Sequence, residues 1–197
     1  MTVKRIFVLD GHPAETSLTG SLAESYAKAA RDAGHEVRMT RLHDLDFDPD
    51  YGFGGYVNQK PLEPGLEKVL QDIEWSEHVV LATPVWWGGL PAKLKGLVDR
   101  AFLPGRTFDT RNPTKLGLPG PMLSGRTGRV LMLSDTPNWV FRLLYRNALM
   151  VQLRGQILGF VGIRPLKITQ FSGTSHPEQR VIGKWLKKAA AMGAAAA

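Results

Sequence analysis

Three features of the sequence predict a doubly wound α/β fold, a five-stranded parallel sheet with helices on both faces. Residues 6–9, 79–82 and 130–133 are apolar without alternation, the pattern of strands covered on both sides. Residues 36–41 and 166–171 alternate polar and apolar, as strands exposed on one face do. Helical periodicity separates these runs, and each parallel return requires such a crossover. The fully apolar strands belong inside the sheet and the alternating ones at its edges, which gives the order 2-1-3-4-5. With 197 residues a single domain is expected. It is taken as 1–190, followed by an Ala-rich tail, 191–197, that is given no role and reads as frayed helix or as foreign to the domain.

Each element has a local reason. After the first strand and a loop from Gly11, a helix carries Leu18, Leu22, Tyr26, Ala29 and Ala33 on one face and stops at Gly34. Residues 44–64 are rich in turn signals (Asp48-Pro49, Gly52, Gly54-Gly55, Pro61, Pro64-Gly65), so a long surface loop is expected. Leu66, Val69, Leu70 and Ile73 mark a short amphipathic helix leading into the central strand. That strand ends at Pro84, which removes a ladder donor. Pro91 opens the next helix, with Leu90, Leu94, Leu97, Val98 and Ala101 as its apolar stripe. An irregular proline- and glycine-rich stretch then runs to Arg129. Residues 139–161 are helical by pattern, as one piece or two, and Gly162 ends them. A last helix carries Val181, Ile182, Trp185 and Leu186 behind a capping box, Ser175-x-x-Glu178.

Composition removes several classes. There are no cysteines, hence no disulfide framework and no thiolate site, in keeping with a reducing, cytoplasmic setting. No apolar run approaches the roughly 20 residues of a membrane span. The net charge of +7 and pI near 9.8 favour anionic partners, but the basic residues are scattered, so nucleic-acid binding is not expected. G-x-G-x-x-G after a strand, the P-loop, H-E-x-x-H and the G-x-S-x-G elbow are all absent, which removes the dinucleotide-fold, P-loop, zinc-hydrolase and usual α/β-hydrolase readings; no metal is expected.

A 2-1-3-4-5 sheet is the flavodoxin-like arrangement, whose ligands bind beyond the carboxyl ends of strands one and three. Two loops lie there. In the first, Thr16, Ser17 and Thr19 lead into a helix whose unpaired N–H groups attract an anion, or they are a plain helix cap. In the second, Trp86 and Trp87 precede Gly88-Gly89, so broad rings wall a turn that a flat ligand can approach closely, or both indoles are core filler. A phosphate cradle and a flat-ring wall on one rim suit the two ends of flavin mononucleotide. His12 is either a satisfied loop histidine or a cofactor contact.

Gly11-His-Pro-x-x-Thr-Ser-Leu-Thr19, Thr83-Pro-Val-Trp-Trp-Gly-Gly-Leu-Pro-Ala-x-Leu-Lys-Gly96 and Leu158-Gly-Phe-Val-Gly-Ile163 together resemble the NAD(P)H:quinone oxidoreductases, flavodoxin-like flavoenzymes that include bacterial quinone reductases and ancillary flavoproteins of glutathione-gated potassium efflux. The resemblance implies that His12, Thr16, Ser17, Leu18 and Thr19 hold the phosphate end of FMN, and that Pro84, Val85, Trp86, Trp87 and Gly88 line its isoalloxazine. Ser134, Asp135 and Thr136 stand on the third rim loop, where such proteins often carry a Thr-Thr-Gly-Gly type sequence. Trp139 and Tyr145 are the candidates for the polar groups beside the reduced ring. FAD is the alternative cofactor. Also implied are two-electron, ping-pong hydride transfer from NAD(P)H to a quinone-like acceptor, and a homodimer. Arg106, Arg111 or Arg142 is the expected receiver of the donor's phosphates. The alternatives are a flavodoxin-like electron carrier, which the positive charge disfavours, and a regulatory subunit of a potassium efflux transporter.

Overall fold

The computed structural model describes residues 2–52 and 59–196; the Gly54-Gly55 turn signal lies outside the described residues. Five parallel strands form the main sheet: β1 (Arg5–Asp10), β2 (Glu36–Arg41), β3 (His78–Pro84), β4 (Thr127–Ser134) and β5 (Leu166–Ser172). Their order is β2-β1-β3-β4-β5, as the exposure patterns predict. Ile6 pairs with His78 and Asp10 with Ala82, while Pro84 pairs with Leu133, so the ends of β1, β3 and β4 form one rim. β4 begins three residues before its apolar run. Gly128 and Arg129 hide that start from a hydropathy reading, yet both are buried, and a Cβ on Gly128 would lie 2.5 Å from Leu166 Cδ1.

Helices α1 (Leu18–Asp32) and α6 (Gln179–Ala195) cover one face. Their core joins Leu22, Tyr26 and Ala30 to Ile6, Val80, Leu131 and Ala189. The buried face of α1 is Thr19, Leu22, Ala23, Tyr26, Ala27 and Ala30, rotated from the stripe expected through Ala29 and Ala33. α6 runs on through the Ala-rich stretch, which the sequence left without a role: Ala189 and Gly193 are buried, and a Cβ on Gly193 would lie 2.2 Å from the Tyr26 carbonyl oxygen. The small residues let α6 approach α1 backbone to backbone.

On the other face lie α2 (Pro64–Trp75), α3 (Ala92–Ala101), α4 (Asn138–Leu143) and α5 (Ala148–Gln152), the last continued by a π-helical turn, Leu153–Ile157. The helical region after residue 138 is thus in two pieces, broken where Arg146 and Asn147 take left-handed conformations. Leu66, Leu94, Leu97, Leu149 and Leu153 pack there against Phe7, Leu81 and Val130. Arg100, inside the apolar stripe of α3, is only 1% exposed. It donates to the carbonyls of Asp48 and Pro61 and to both carboxylate oxygens of Glu63, so it ties down both feet of the long loop between β2 and α2. Among the described residues no helix is long and apolar enough to cross a membrane.

Candidate cofactor and substrate site

The loop after β1 folds on its own side chains. Asp10, buried at the end of β1, accepts from the His12 N–H at 3.1 Å, and His12 Nδ1 accepts from the Ala14 N–H at 3.0 Å. Nδ1 is therefore unprotonated, and burial pushes the imidazole below its usual pKa, with Asp10 pulling it back up. Burial likewise raises the Asp10 carboxyl, opposed by the bond from His12. Gly11 is required by closeness: a Cβ would meet Leu94 Cδ2 at 2.7 Å and the Ala82 carbonyl at 2.9 Å.

Ser17 is the N-cap of α1, its Oγ accepting from the Gly20 N–H at 2.9 Å, and the Ser21 N–H takes the Ser17 carbonyl. The cap reading therefore holds for Ser17, while the Leu18 and Thr19 N–H groups have no intrahelical acceptor. A cap hydroxyl that accepts one bond retains its proton to donate. The anion-site and cap readings are compatible.

The loop after β3 is a tight hairpin. Val85 N–H donates to the Leu133 carbonyl, and Trp86 and Gly89 exchange two backbone bonds of 3.0 and 2.9 Å around Trp87 (φ 52°) and Gly88 (φ 76°). Two central residues with positive φ make a type I′ turn, which glycine accepts and tryptophan resists. Core filler is excluded, because Trp87 is fully exposed at the tip and Trp86 is 44% exposed. The Trp86 ring meets His12 edge to face at 5.6 Å, joining the two loops.

The third and fourth walls are clamped together. The Asp135 carboxylate accepts from the Ser175 N–H at 2.6 Å, from the Ser175 hydroxyl and from Thr174 Oγ1 at 3.4 Å. These donors, the Ser175 hydroxyl foremost, hold its carboxyl below the usual range. The capping box is overturned by this bond, since Ser175 serves Asp135 and α6 starts at Gln179 without a side-chain cap. Ser134 Oγ and the Thr136 carbonyl both accept from Gln170 Nε2, at 2.8 and 3.1 Å. Thr174, Ser175 and Gln170, on or after β5, were missed from the sequence, because nothing local ties them to residue 135.

These loops enclose two adjoining cavities. The first, about 340 Å³, is lined by His12, Thr16, Ser17, Leu18, Thr19, Pro84, Val85, Trp86, Leu133, Ser134, Asp135, Thr174 and Ser175. The second, about 600 Å³, shares Val85, Ser134 and Asp135 and adds Trp87, Gly88, Thr136, Phe141, Tyr145, Ala148 and Leu149. Every residue picked from the sequence for cofactor contact thus lines one or both. Of the two candidates for polar contacts, Tyr145 lines the second cavity, and Trp139, 66% exposed on α4, lines neither. Arg106 is engaged elsewhere, between Glu67 and Glu74, and Arg111 pairs with Asp109. Arg142, exposed on α4, remains beside Phe141 of the cavity wall. A helix start with hydroxyls and free N–H groups, opening into an aromatic slot, suits a ligand with a small anionic end and a flat ring.

A five-stranded 2-1-3-4-5 parallel sheet whose crevice lies between the loops of strands one and three defines the flavodoxin-like class. The chain belongs to the Flavodoxin_2 family, described as a flavodoxin-like fold, which matches residues 4–192. It is 25% identical over 112 residues to an uncharacterized NAD(P)H oxidoreductase, YcaK, of Escherichia coli, covering 55% of this chain and 57% of that one. To an FMN-dependent NADH:quinone oxidoreductase of Xanthomonas oryzae it is 26% identical over 167 residues, 83% of this chain and 81% of the relative. The matched stretch spans about half the length of most of the curated relatives first found. Among solved structures, an NAD(P)H:quinone oxidoreductase from Methanothermobacter marburgensis superposes with a TM-score of 0.80 at 18% identity, covering 98% of this chain and 96% of that one, a likeness of fold.

Proposed function

We propose that this chain is an FMN-dependent NAD(P)H oxidoreductase that reduces quinones and similar flat aromatic acceptors. The observation that carries the reading is the joining of an anion-type helix start to an aromatic slot at one rim. The names of the relatives point the same way. Bound FMN supplies two-electron chemistry, accepting hydride from a nicotinamide and returning it to an acceptor. The protein's part is to bind, orient and exclude water.

The Leu18 and Thr19 N–H groups and the hydroxyls of Thr16, Ser17 and Thr19 hold the phosphate, and His12 buttresses Trp86 beside it. Pro84, Val85, Trp86, Trp87 and Gly88 line one side of the ring; Ser134, Asp135 and Thr136 border it. Phe141, Tyr145 and Leu149 wall the remaining space, which donor and acceptor occupy in turn, so ping-pong kinetics follow. Tyr145, which lines this space, is the polar side chain available to both. Trp87, Leu143, Leu144, Tyr145 and Val151 are exposed around this slot, and a second copy of the chain is their cover.

The purified protein should absorb near 450 nm, a flavin property, and release FMN and not FAD on denaturation. The band should bleach with NADPH or NADH and return with menadione, giving parallel double-reciprocal plots. A band that stays unchanged through minutes of excess of both nucleotides would reject the enzymatic reading. Light scattering showing an active monomer would reject the dimer.

A further inference from the structure

The chain carries 25 Lys and Arg against 18 Asp and Glu. Yet among the described residues no Lys or Arg lines either cavity of the site. Among the described residues the ionisable side chains in the two linings are His12, Tyr145 and Asp135. Burial holds the His12 imidazole below its usual pKa, and its Nδ1 accepts from the Ala14 N–H. Asp135 belongs to both linings, and the donors fixing its carboxylate, Ser175 and Thr174, are all uncharged. Its negative charge is thus oriented but not cancelled. Asp135 is exposed at the rim that the two cavities share, so its charge meets an acceptor entering past Val85, Phe141 and Leu149 through solvent and is open to screening by salt. Arg142 and Arg146, exposed on the α4–α5 segment, stand outside both linings.

We propose that Asp135 selects acceptors by charge, admitting neutral and cationic flat rings and turning away anionic ones such as sulfonated or carboxylated quinones and dyes. This rests on the reading of the second cavity as an acceptor slot. Repulsion between Asp135 and the cofactor phosphate is the same for every acceptor, so it drops out of any ratio between two of them. The two charges act in turn: the basic surface draws anions toward the protein, and the carboxylate at the rim decides which of them seat.

The test compares menadione with 1,2-naphthoquinone-4-sulfonate on the FMN-loaded protein, as wild type, Asp135→Asn and Ser175→Ala. Two quantities are read for each quinone: kcat/KM with NADPH, and Kd from quenching of tryptophan fluorescence, for which Trp86 and Trp87 are placed. Asn keeps an oxygen for the Ser175 N–H and loses the charge together with one acceptor, so the Ser175 hydroxyl must turn to accept from the amide; Ser175→Ala, which loosens the same clamp and keeps the charge, is the control for that change. Asp135→Asn should raise the sulfonate-to-menadione ratio, in both quantities, by about fivefold in dilute buffer, and the gain should shrink in about 0.5 M salt. Ser175→Ala should leave the ratio near that of wild type. A ratio unchanged in Asp135→Asn, or raised as much by Ser175→Ala, overturns the proposal. If both quinones bind but neither is reduced, the oxidoreductase reading fails while the Kd ratio still decides the role of Asp135. If neither binds, both are wrong.

Discussion

The contact between Gly193 and Tyr26 permits a test in which one chemical change, made twice in the same helix, has opposite signs. A methyl group at Gly193 would lie 2.2 Å from the Tyr26 carbonyl oxygen and 2.9 Å from its carbon, all backbone. No rotamer can relieve that, so α6 must move away from α1 by about 1 Å, and overpacking of this kind costs roughly 1–3 kcal/mol. Gly-to-Ala in a helix returns about 0.5–1 kcal/mol, leaving a net loss of about 1–2 kcal/mol for Gly193→Ala. For a chain of this size that is a fall of about 3–6 °C in Tm. Gly183, also in α6, has nothing within 4 Å of an added Cβ. There Ala should raise Tm by about 1–3 °C. Thermal melts followed by far-UV circular dichroism measure both. A Gly193→Ala protein that melts at or above the wild type would mean that the Ala-rich end of α6 is not seated on α1.

Three further outcomes are expected. Replacing Ser17 and Thr19 together by Ala should weaken FMN binding on the order of a hundredfold in a fluorescence titration, since charge-assisted bonds are worth about 1.5–3 kcal/mol each; because Ser17 is also the cap of α1, stability should drop by about 1 kcal/mol as well, and unchanged affinity would reject the phosphate assignment. His78 is buried in β3 with Nε2 unpartnered, and burial first, then Lys4, Arg129, Lys167 and His35, push its pKa down to about 3; the unfolded chain thus takes up a proton below about pH 6.5 that the folded one refuses, so the urea midpoint should fall as pH drops from 6.5 toward 4. The fall should be smaller in His78→Gln, and equal slopes would dismiss the histidine as its source. Trp87→Gly relieves a left-handed bulky residue and should gain about 1 kcal/mol of stability while weakening quinone binding; loss of both together would show the indole to be structural.

The architecture was legible because the two kinds of strand differ in hydropathy. The alternation of residues 36–41 and 166–171 marks edges, and the unbroken apolar runs mark the interior. The first two rim loops were legible for a similar reason: hydroxyls before a helix and glycines after a strand have local consequences. What escaped is long-range. Ser175 reads as a cap beside Glu178 until the fold brings Asp135 against it. Arg100 sits where a periodic reading expects an apolar residue, and its acceptors come from a loop far back in the chain. Trp87 follows from neither propensity nor pattern, since glycine and asparagine are the residues a type I′ turn calls for. Arg106 is one of the three arginines expected at the nucleotide, but two glutamates of α2 bind it first.

Arg100 has a consequence for how the chain can vary. With Asp48 at one foot and Pro61 and Glu63 at the other bound to the same guanidinium, the stretch between them closes a loop whose ends are already fixed. Closure entropy grows slowly, by about 0.6 kcal/mol per doubling of length, so added residues there cost the domain little in loop closure. The guanidinium acts as a socket: it holds Asp48, Pro61 and Glu63 against α3 by its own contacts, whatever the length of chain that joins them.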